Sequence, residues 1–526
     1  MIDRREFLSL AAIGAAATML KTGDVFGQGK SKNLEEFTVA DLSAGMRNGS
    51  LTSVSITSWY MGRIRAEDRG TNSIIEINPE ALQIAAGLDR ERKGGKIRGP
   101  LHGIPVVLKD NIDTADKMKT TAGSLALLNA PVPRRDAFLV DQLRRAGAVI
   151  LAKTNLSEWA NFRSTVSTSG WSGRGGQTRN PYILDRNPCG SSSGTGAAVA
   201  ANFAAVGIGT ETDGSIVCPS SICGIVGLKP TVGLISRSGV IPISASQDTA
   251  GPMTRTVADA AIMLSAMTAV DASDPATAKN ATMARTDYET FLKADGLKDA
   301  TIGVARDFWG KRPEVDKIMD TALDAMKRAG AKLVDVKFPN LEKFGDAEFE
   351  VLQFEFKDGL EKYLAGRGSQ YKDLDDLIKF NNDNAAREMP HFKQEIFVTS
   401  AKKGPLTTKE YLDARALCIK LTREEGIDAA MNKDKLDAIV APSNAPTWMT
   451  DWINGDCGSN YISSSSLAAV AGYPSITVPA GFLHELPIGI SFFGTPYREH
   501  VLIRLAYAFE QATKARRKPK FLATAV

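Results

Sequence analysis

Apolar and polar stretches alternate along the chain in a way that predicts strands and helices in turn. Residues 104–108 (IPVVL) are a short apolar run between Gly103 and Lys109-Asp110, the pattern of a strand buried on both faces. Residues 136–145 carry helical spacing, 146–148 (AGA) read as a turn, and 149–152 form a second apolar run. This βαβ rhythm implies parallel strands covered by helices on both faces. Residues 35–65 and 256–270 read as helices, and a small-residue helix over 197–205 leads into a strand at 206–209. After a polar connection over 271–300, the rhythm resumes with strand 301–305, helix 314–328 and strand 332–336. Helices follow across 341–366 and 408–431, then strands at 438–441, 476–479 and 488–493, and a last helix over 499–513. Two stretches, 164–176 (STVSTSGWSGRGG) and 190–196 (GSSSGTG), are rich in Ser and Gly and read as loops. No repeat and no long flexible linker interrupts the pattern. The expectation is one large α/β unit.

The first residues change that picture. Arg4-Arg5 followed by Phe7 and Leu8 fits a twin-arginine export signal. The apolar stretch 8–20 is too short to span a bilayer and suits the apolar segment of a signal peptide. An ordinary N-terminal helix is the competing reading. With cleavage near Gly27, residues 1–27 are the signal and 28–526 the single folded domain. No cysteine lies near that point, so no lipid anchor is expected. The implied location is the bacterial periplasm or the medium.

Composition then excludes several chemistries. Lys plus Arg number 64 and Asp plus Glu 60, a net charge of +4 without a basic block beyond the tail 514–520 (KARRKPK), so nucleic acid is a poor partner. The four histidines are His102, His391, His484 and His500, which leaves little room for a Ser-His-Asp enzyme. The five cysteines, Cys189, Cys218, Cys223, Cys418 and Cys457, form no C-x-x-C pair, and no H-E-x-x-H occurs. Metal sites built from Cys and His are therefore not expected. Cys218 and Cys223 are read as buried small hydrophobes in preference to a disulfide.

Three places hold reactive side chains in unusual settings. Lys109 ends the predicted strand 104–108, where apolar surroundings disfavour its ammonium form and can make it a general base; a lysine reaching solvent from a strand end is the plainer reading. Gly190-x-Ser192-x-Gly194 matches the nucleophile elbow of α/β-hydrolases in spacing, but residues 181–189 (PYILDRNPC) hold two prolines where that motif needs a strand. A phosphate cradle there lacks a Walker lysine. Residues 209–216 (GTETDGSI) read as a strand entering a tight turn with Gly214 and Ser215, where successive N–H groups can surround one oxygen and a serine can attack a carbonyl.

Taken together, these segments resemble the amidase signature family. The resemblance rests on 103–109 (GIPVVLK), 189–195 (CGSSSGT), 209–219 (GTETDGSIVCP) and 227–231 (GLKPT), with Ser191 and Ser215 separated by 24 positions. It covers most of the chain and is densest over about 95–270. Residues 120–125 (TTAGSL), 246–253 (SQDTAGPM) and 470–476 (VAGYPSI) look most like the peptide amidase and acylamidase subgroup. The resemblance implies an amidase signature fold: a large mixed, mostly parallel β-sheet with helices on both faces. It implies Ser215 as nucleophile, Lys109 as base and Ser191 as proton relay, with a cis peptide at Gly190–Ser191. The backbone N–H groups of Thr212, Asp213, Gly214 and Ser215 would form the oxyanion hole. Neither metal nor organic cofactor is implied, and the substrate would be a small-molecule or peptide amide, cleaved by a monomer or homodimer. Cys189, Ser193, Thr195, Glu211, Asp213 and Val217 depart from the family pattern. Ser193 is harmless only if its backbone needs no positive φ. The rival readings are the A-type component of a tRNA-dependent amidotransferase, an exported inactive binding homologue, and an esterase using Ser192. Trp448, Met449, Trp452 and Tyr461 are candidates to line an apolar acyl pocket.

Overall fold

Strand β2, Pro105–Lys109, lies between β3, Val149–Thr154, and β6, Val206–Glu211, and pairs parallel to both. Every residue of the three strands is buried, including the polar residues Lys109, Lys153, Thr154, Thr210 and Glu211 that end the apolar runs. The computed structural model describes residues 33–456 and 460–525, so the expected signal 1–27 and its cleavage point lie outside the described residues. Residues 36–526 form one compact unit.

The remaining strands are β1, Ile74–Ile77; β4 and β5, Trp171–Ser172 and Gly176–Gln177, a separate hairpin; β7, Val226–Lys229; and β8, Thr249–Thr254. The later half adds β9, Thr301–Ala305; β10, Lys332–Val336; β11, Ala438–Pro442; β12, Ser475–Leu483; and β13, Leu486–Phe493. The large sheet runs β1-β3-β2-β6-β8-β7-β12-β13-β11-β9-β10. It is the large mixed sheet expected, and its parallel pairing lies in two flanks, β3-β2-β6 and β11-β9-β10. The strands between the flanks and the β1 edge pair antiparallel. For one of these pairs the reason is local: β12 and β13 are joined only through His484 and Glu485, and a connection that short joins antiparallel strands alone. Helices cover both faces. On β13, Gly489 meets Ser221 of the helix Val217–Ile222, while Phe492, which points the other way, packs on Phe509 of the helix Glu499–Thr513.

Several expected elements have different limits. The stretch 35–65 is two helices, Val39–Arg47 and Ser53–Thr71, because Thr38 and Thr52 each close a capping box and start a new helix. The helix expected over 197–205 begins earlier, at Ser193, and ends at Ala200. Its first turn is the Ser/Gly-rich stretch itself, small because the backbones of Asn155 and Ser73 leave no space for a β-carbon at Gly194. Strands β7 and β8 carry no clear strand signal; β8 (TAGPMT) contains Gly251, which packs against the Leu228 carbonyl, and Pro252. The helix expected over 408–431 is three pieces, Lys409–Ile419, a π-helical Lys420–Ile427 and Asp428–Lys433.

Leu352 and Phe356 of the long helix Gly345–Arg367 join Trp159, Phe162 and Ile243 in one apolar cluster. Ala122 of the same cluster donates its backbone N–H to the carbonyl of Asp110, the residue after the carboxyl end of β2. Among the described residues, no helix is long and apolar enough to cross a membrane.

Candidate active site

Lys109 is the last residue of β2 and is fully buried. Its Nζ lies 2.8 Å from Ser191 Oγ, 2.8 Å from Thr210 Oγ1 and 3.2 Å from the Thr210 carbonyl oxygen. Asn111 donates to the same Thr210 hydroxyl at 3.0 Å. Burial lowers the Lys109 pKa to about 7, against the opposing pull of Asp248 and Glu211. The plainer reading, a lysine reaching solvent, is thus set aside.

Ser191 stands in the loop before the helix Ser193–Ala200, and the Gly190–Ser191 peptide is cis. Its Oγ is 3.0 Å from Ser215 Oγ. Lys109, Ser191 and Ser215 therefore form one hydrogen-bonded line although they come from three separate segments.

Ser215 occupies the tight turn between β6 and the helix Val217–Ile222. Gly214 there has φ +78, a conformation that favours glycine. Glu211, at the end of β6, accepts from the N–H groups of Ile216 and Val217 at 2.7 and 3.0 Å and so fixes the turn from beneath. Thr212 donates its hydroxyl to Asp248 at 2.6 Å, and Asp248 accepts from the backbone of Ile243 and Ser244. Burial pushes the Asp248 carboxyl up to about 6. The Asp213 carboxylate accepts from the Ser465 and Ser466 hydroxyls, each at 2.6 Å. The departures Glu211 and Asp213 thus hold the turn through hydrogen bonds, and Val217 is a buried first residue of the helix. Ser193 has helical backbone and donates to the Cys189 carbonyl at 2.6 Å, so no positive φ is needed there.

Ser215 opens into a cavity of about 600 Å³. Phe162, Ile243, Leu352, Trp448 and Tyr461 give it an apolar side, and Ser169, Asp213, Asp456 and Ser463 a polar one. Asp456 accepts from Ser169 N and from Trp448 Nε1, at 3.0 and 3.2 Å, tying the late loop to the early one. Of the four aromatic-loop candidates, Trp448 and Tyr461 line the cavity, whereas Met449 and Trp452 stay on the exposed rim. Ser192 is fully buried, donates to the Thr210 carbonyl and does not line the cavity, which removes the elbow reading. Among the described residues, no histidine, lysine or arginine lines it.

One expectation is overturned. Cys218 is bonded to Cys189, 29 residues away, and both line the cavity. Cys223 is buried with a free thiol, as the reading of a small buried hydrophobe expects, but Cys218 is not such a residue because the fold brings Cys189 against it. Thr210, Asp248, Asp456 and the 160–162 turn also carry no separate sequence signal. Thr210 and Asp248 do sit inside recognisable segments, 209–219 and 246–253, whereas Asp456 and the 160–162 turn lie in none.

The Amidase family model matches residues 55–503. The chain belongs to the amidase family. The native peptide amidase of Stenotrophomonas maltophilia is 50% identical, with a TM-score of 0.88 over 93% of this chain and 99% of that one. A probable amidase of Arabidopsis thaliana is 40% identical over 93% of each chain. The A-type component of the glutamyl-tRNA(Gln) amidotransferase of Thermoanaerobacter pseudethanolicus is 32% identical over 93% of this chain and 98% of its own. This amidase is accordingly an enzyme that acts on carbon–nitrogen bonds, and it has the amidase signature fold.

Proposed function

We propose that this amidase hydrolyses the C-terminal carboxamide of short peptides, and related acyl or aryl amides, through a Ser215 acyl-enzyme. The observation that carries the reading is the unbroken line from Lys109 Nζ through Ser191 Oγ to Ser215 Oγ, ending in an open cavity. With a pKa near 7, Lys109 holds a large neutral fraction at neutral pH and can accept a proton. Lys109 takes the Ser191 proton while Ser191 takes that of Ser215, and Ser215 Oγ bonds to the amide carbon. The developing oxyanion accepts from the backbone N–H groups of Thr212, Asp213, Gly214 and Ser215. None of these donates to a described residue, which leaves them free for it. Collapse breaks the C–N bond, and the amine leaves with the proton returned through Ser191. Water enters by the same relay and releases the acid.

The substrate class is supported by the apolar wall of Phe162, Leu352, Trp448 and Tyr461 and by the peptide amidase relative. The amidotransferase reading is favoured by the glutamyl-tRNA(Gln) amidotransferase relatives. Against it, glutamine brings an α-carboxylate, and the cavity offers Asp213 and Asp456 with no Lys or Arg among its described lining. Export to the periplasm or medium is part of the proposal. Arg4-Arg5 supports it, and so does a disulfide, since such bonds persist in oxidising compartments. The test is a panel of amidated dipeptides, free amino acid amides, anilides, fatty amides and glutamine, scored by released ammonia or amine. Glutamine turned over faster than every peptide amide would sink the substrate assignment, and failure to release product from any of them would sink the hydrolase reading, that of an inactive homologue then standing.

A further inference from the structure

The Cys189–Cys218 bond takes no part in the chemistry above, yet it spans the two serines that do. Cys189 lies two residues before Ser191, and Cys218 lies three after Ser215. Cys189 has φ 58, a left-handed conformation in which a β-carbon is disfavoured and glycine is the default residue. A side chain at such a position is a burden on the fold unless it serves some purpose, and here its sulfur is bonded across the site. The bond joins the loop that carries Ser191 to the helix Val217–Ile222, which starts directly behind Ser215. Across the same seam Ser192 N donates to the Ser215 carbonyl at 3.2 Å and the two catalytic hydroxyls are 3.0 Å apart, both at the upper end of the ordinary range, so a small separation of the two segments would break them. Trp448, which also lines the cavity, packs against the small apolar cluster that Cys189 and Cys218 form with Ile222.

A serine relay transfers protons only while each oxygen stays within hydrogen-bond reach of the next, so small displacements lower the rate steeply. We infer that the disulfide is a positioning element of the relay, holding the Ser191 loop in register with Ser215. This rests on the acyl-transfer reading. Cys189 and Cys218 act through the serines and touch no reacting atom.

The test is the double variant Cys189→Gly/Cys218→Ala, with glycine chosen because it adopts φ 58 without a β-carbon. On an amidated dipeptide, kcat should fall about tenfold or more, with KM changed less than about twofold and single-turnover acylation slowed equally. A variant with wild-type kcat overturns the inference even if its thermal midpoint drops, because a bond that only stabilises the fold would behave in that way. If the variant does not fold, the folded wild-type protein is treated with a phosphine below its unfolding transition until alkylation and mass spectrometry count two new thiols. The bond takes up two electrons and two protons, and the phosphine takes the oxygen of water to become its oxide. Turnover should fall on reduction and return on reoxidation; full turnover by the reduced protein overturns the inference. The wild-type rate in the same assay separates the two claims. An inactive wild type defeats the amidase reading, whereas an active wild type matched by the variant defeats only the positioning role.

Discussion

The two parallel flanks of the sheet are built alike and end differently. In β3-β2-β6 the cation at the carboxyl end of the central strand is Lys109; in β11-β9-β10 the residue directly after the central strand β9 is Arg306. Lys109 is fully buried and faces only hydroxyls and a carbonyl. Arg306 is partly in solvent, pairs with Asp335 at 2.8 Å and lies over the Trp309 ring. Strand β10, its outer neighbour, is largely exposed, while β2 is covered on every side. The same supersecondary position thus yields a base in one flank and a solvated ion pair in the other. The difference lies in desolvation, supplied by the 189–192 loop and β6, and not in the strand itself.

The sharpest way to break this comparison is to remove each cation. Lys109→Ala and Ser215→Ala should each lower kcat/KM about 10⁴-fold or more on a peptide amide, the scale seen when a member of a concerted nucleophile–base unit is lost. Arg306→Ala should leave kcat/KM within about twofold, since it removes only partly exposed contacts, with Asp335 and the Trp309 ring, away from the site. Equal losses at both sites would end the distinction. Next comes Ser191→Ala, expected to cost about 10³-fold in kcat because the proton path is interrupted while the nucleophile and oxyanion donors remain. Labelling of Ser215 by a fluorophosphonate, followed in time, checks that this loss falls on the acylation step.

A pH profile sharpens the electrostatic half of the comparison. Lys109 must be neutral to act, and burial sets its pKa at about 7. Below that value kcat/KM should fall about tenfold per pH unit as the ammonium form fills. Asp248 is the first of the charges that pull the Lys109 pKa back up, so Asp248→Asn should move the acid limb to lower pH. A limb unmoved, or moved upward, would show that Asp248 does not act on Lys109. A smaller effect is expected at the cavity wall. Trp448→Ala should raise KM for amides with apolar side chains about 5- to 100-fold, on the order of 1–3 kcal/mol of lost contact, while changing small amides little. Smallest of all, Arg306→Ala should cost under about 1 kcal/mol of stability by denaturant unfolding.

Much of the first flank is legible from the chain. The apolar runs before Lys109 and at 149–152 predict β2 and β3 because both strands are buried on both faces, and the crossover between them is legible because its helix buries one apolar stripe, Leu139, Val140 and Leu143. Ser191 and Ser215 are likewise legible, since their glycine and serine neighbours form a pattern that few other structures need. The middle of the sheet is not. Strand β8 carries Gly251 and Pro252 and is a strand only because Leu228 and Ile208 lie against it. The Ser/Gly stretch 190–196 reads as a loop by composition, while its later half is helix, because close packing against Asn155 and Ser73 selects small residues there.

The amino-acid sequence by itself determined which side chains could carry the chemistry: a lysine at a strand end, two serines in separate small-residue segments, and too few histidines for the usual alternative. Their order along the chain also determined the alternating elements of both flanks. Only the tertiary structure decided that Lys109 loses its solvent, that Thr210 and not an acid receives its other hydrogen bonds, and that Cys189 pairs with Cys218. The physical reason is that identity and periodicity are local properties, whereas desolvation and the meeting of remote backbones arise when segments far apart in sequence exclude water from one place.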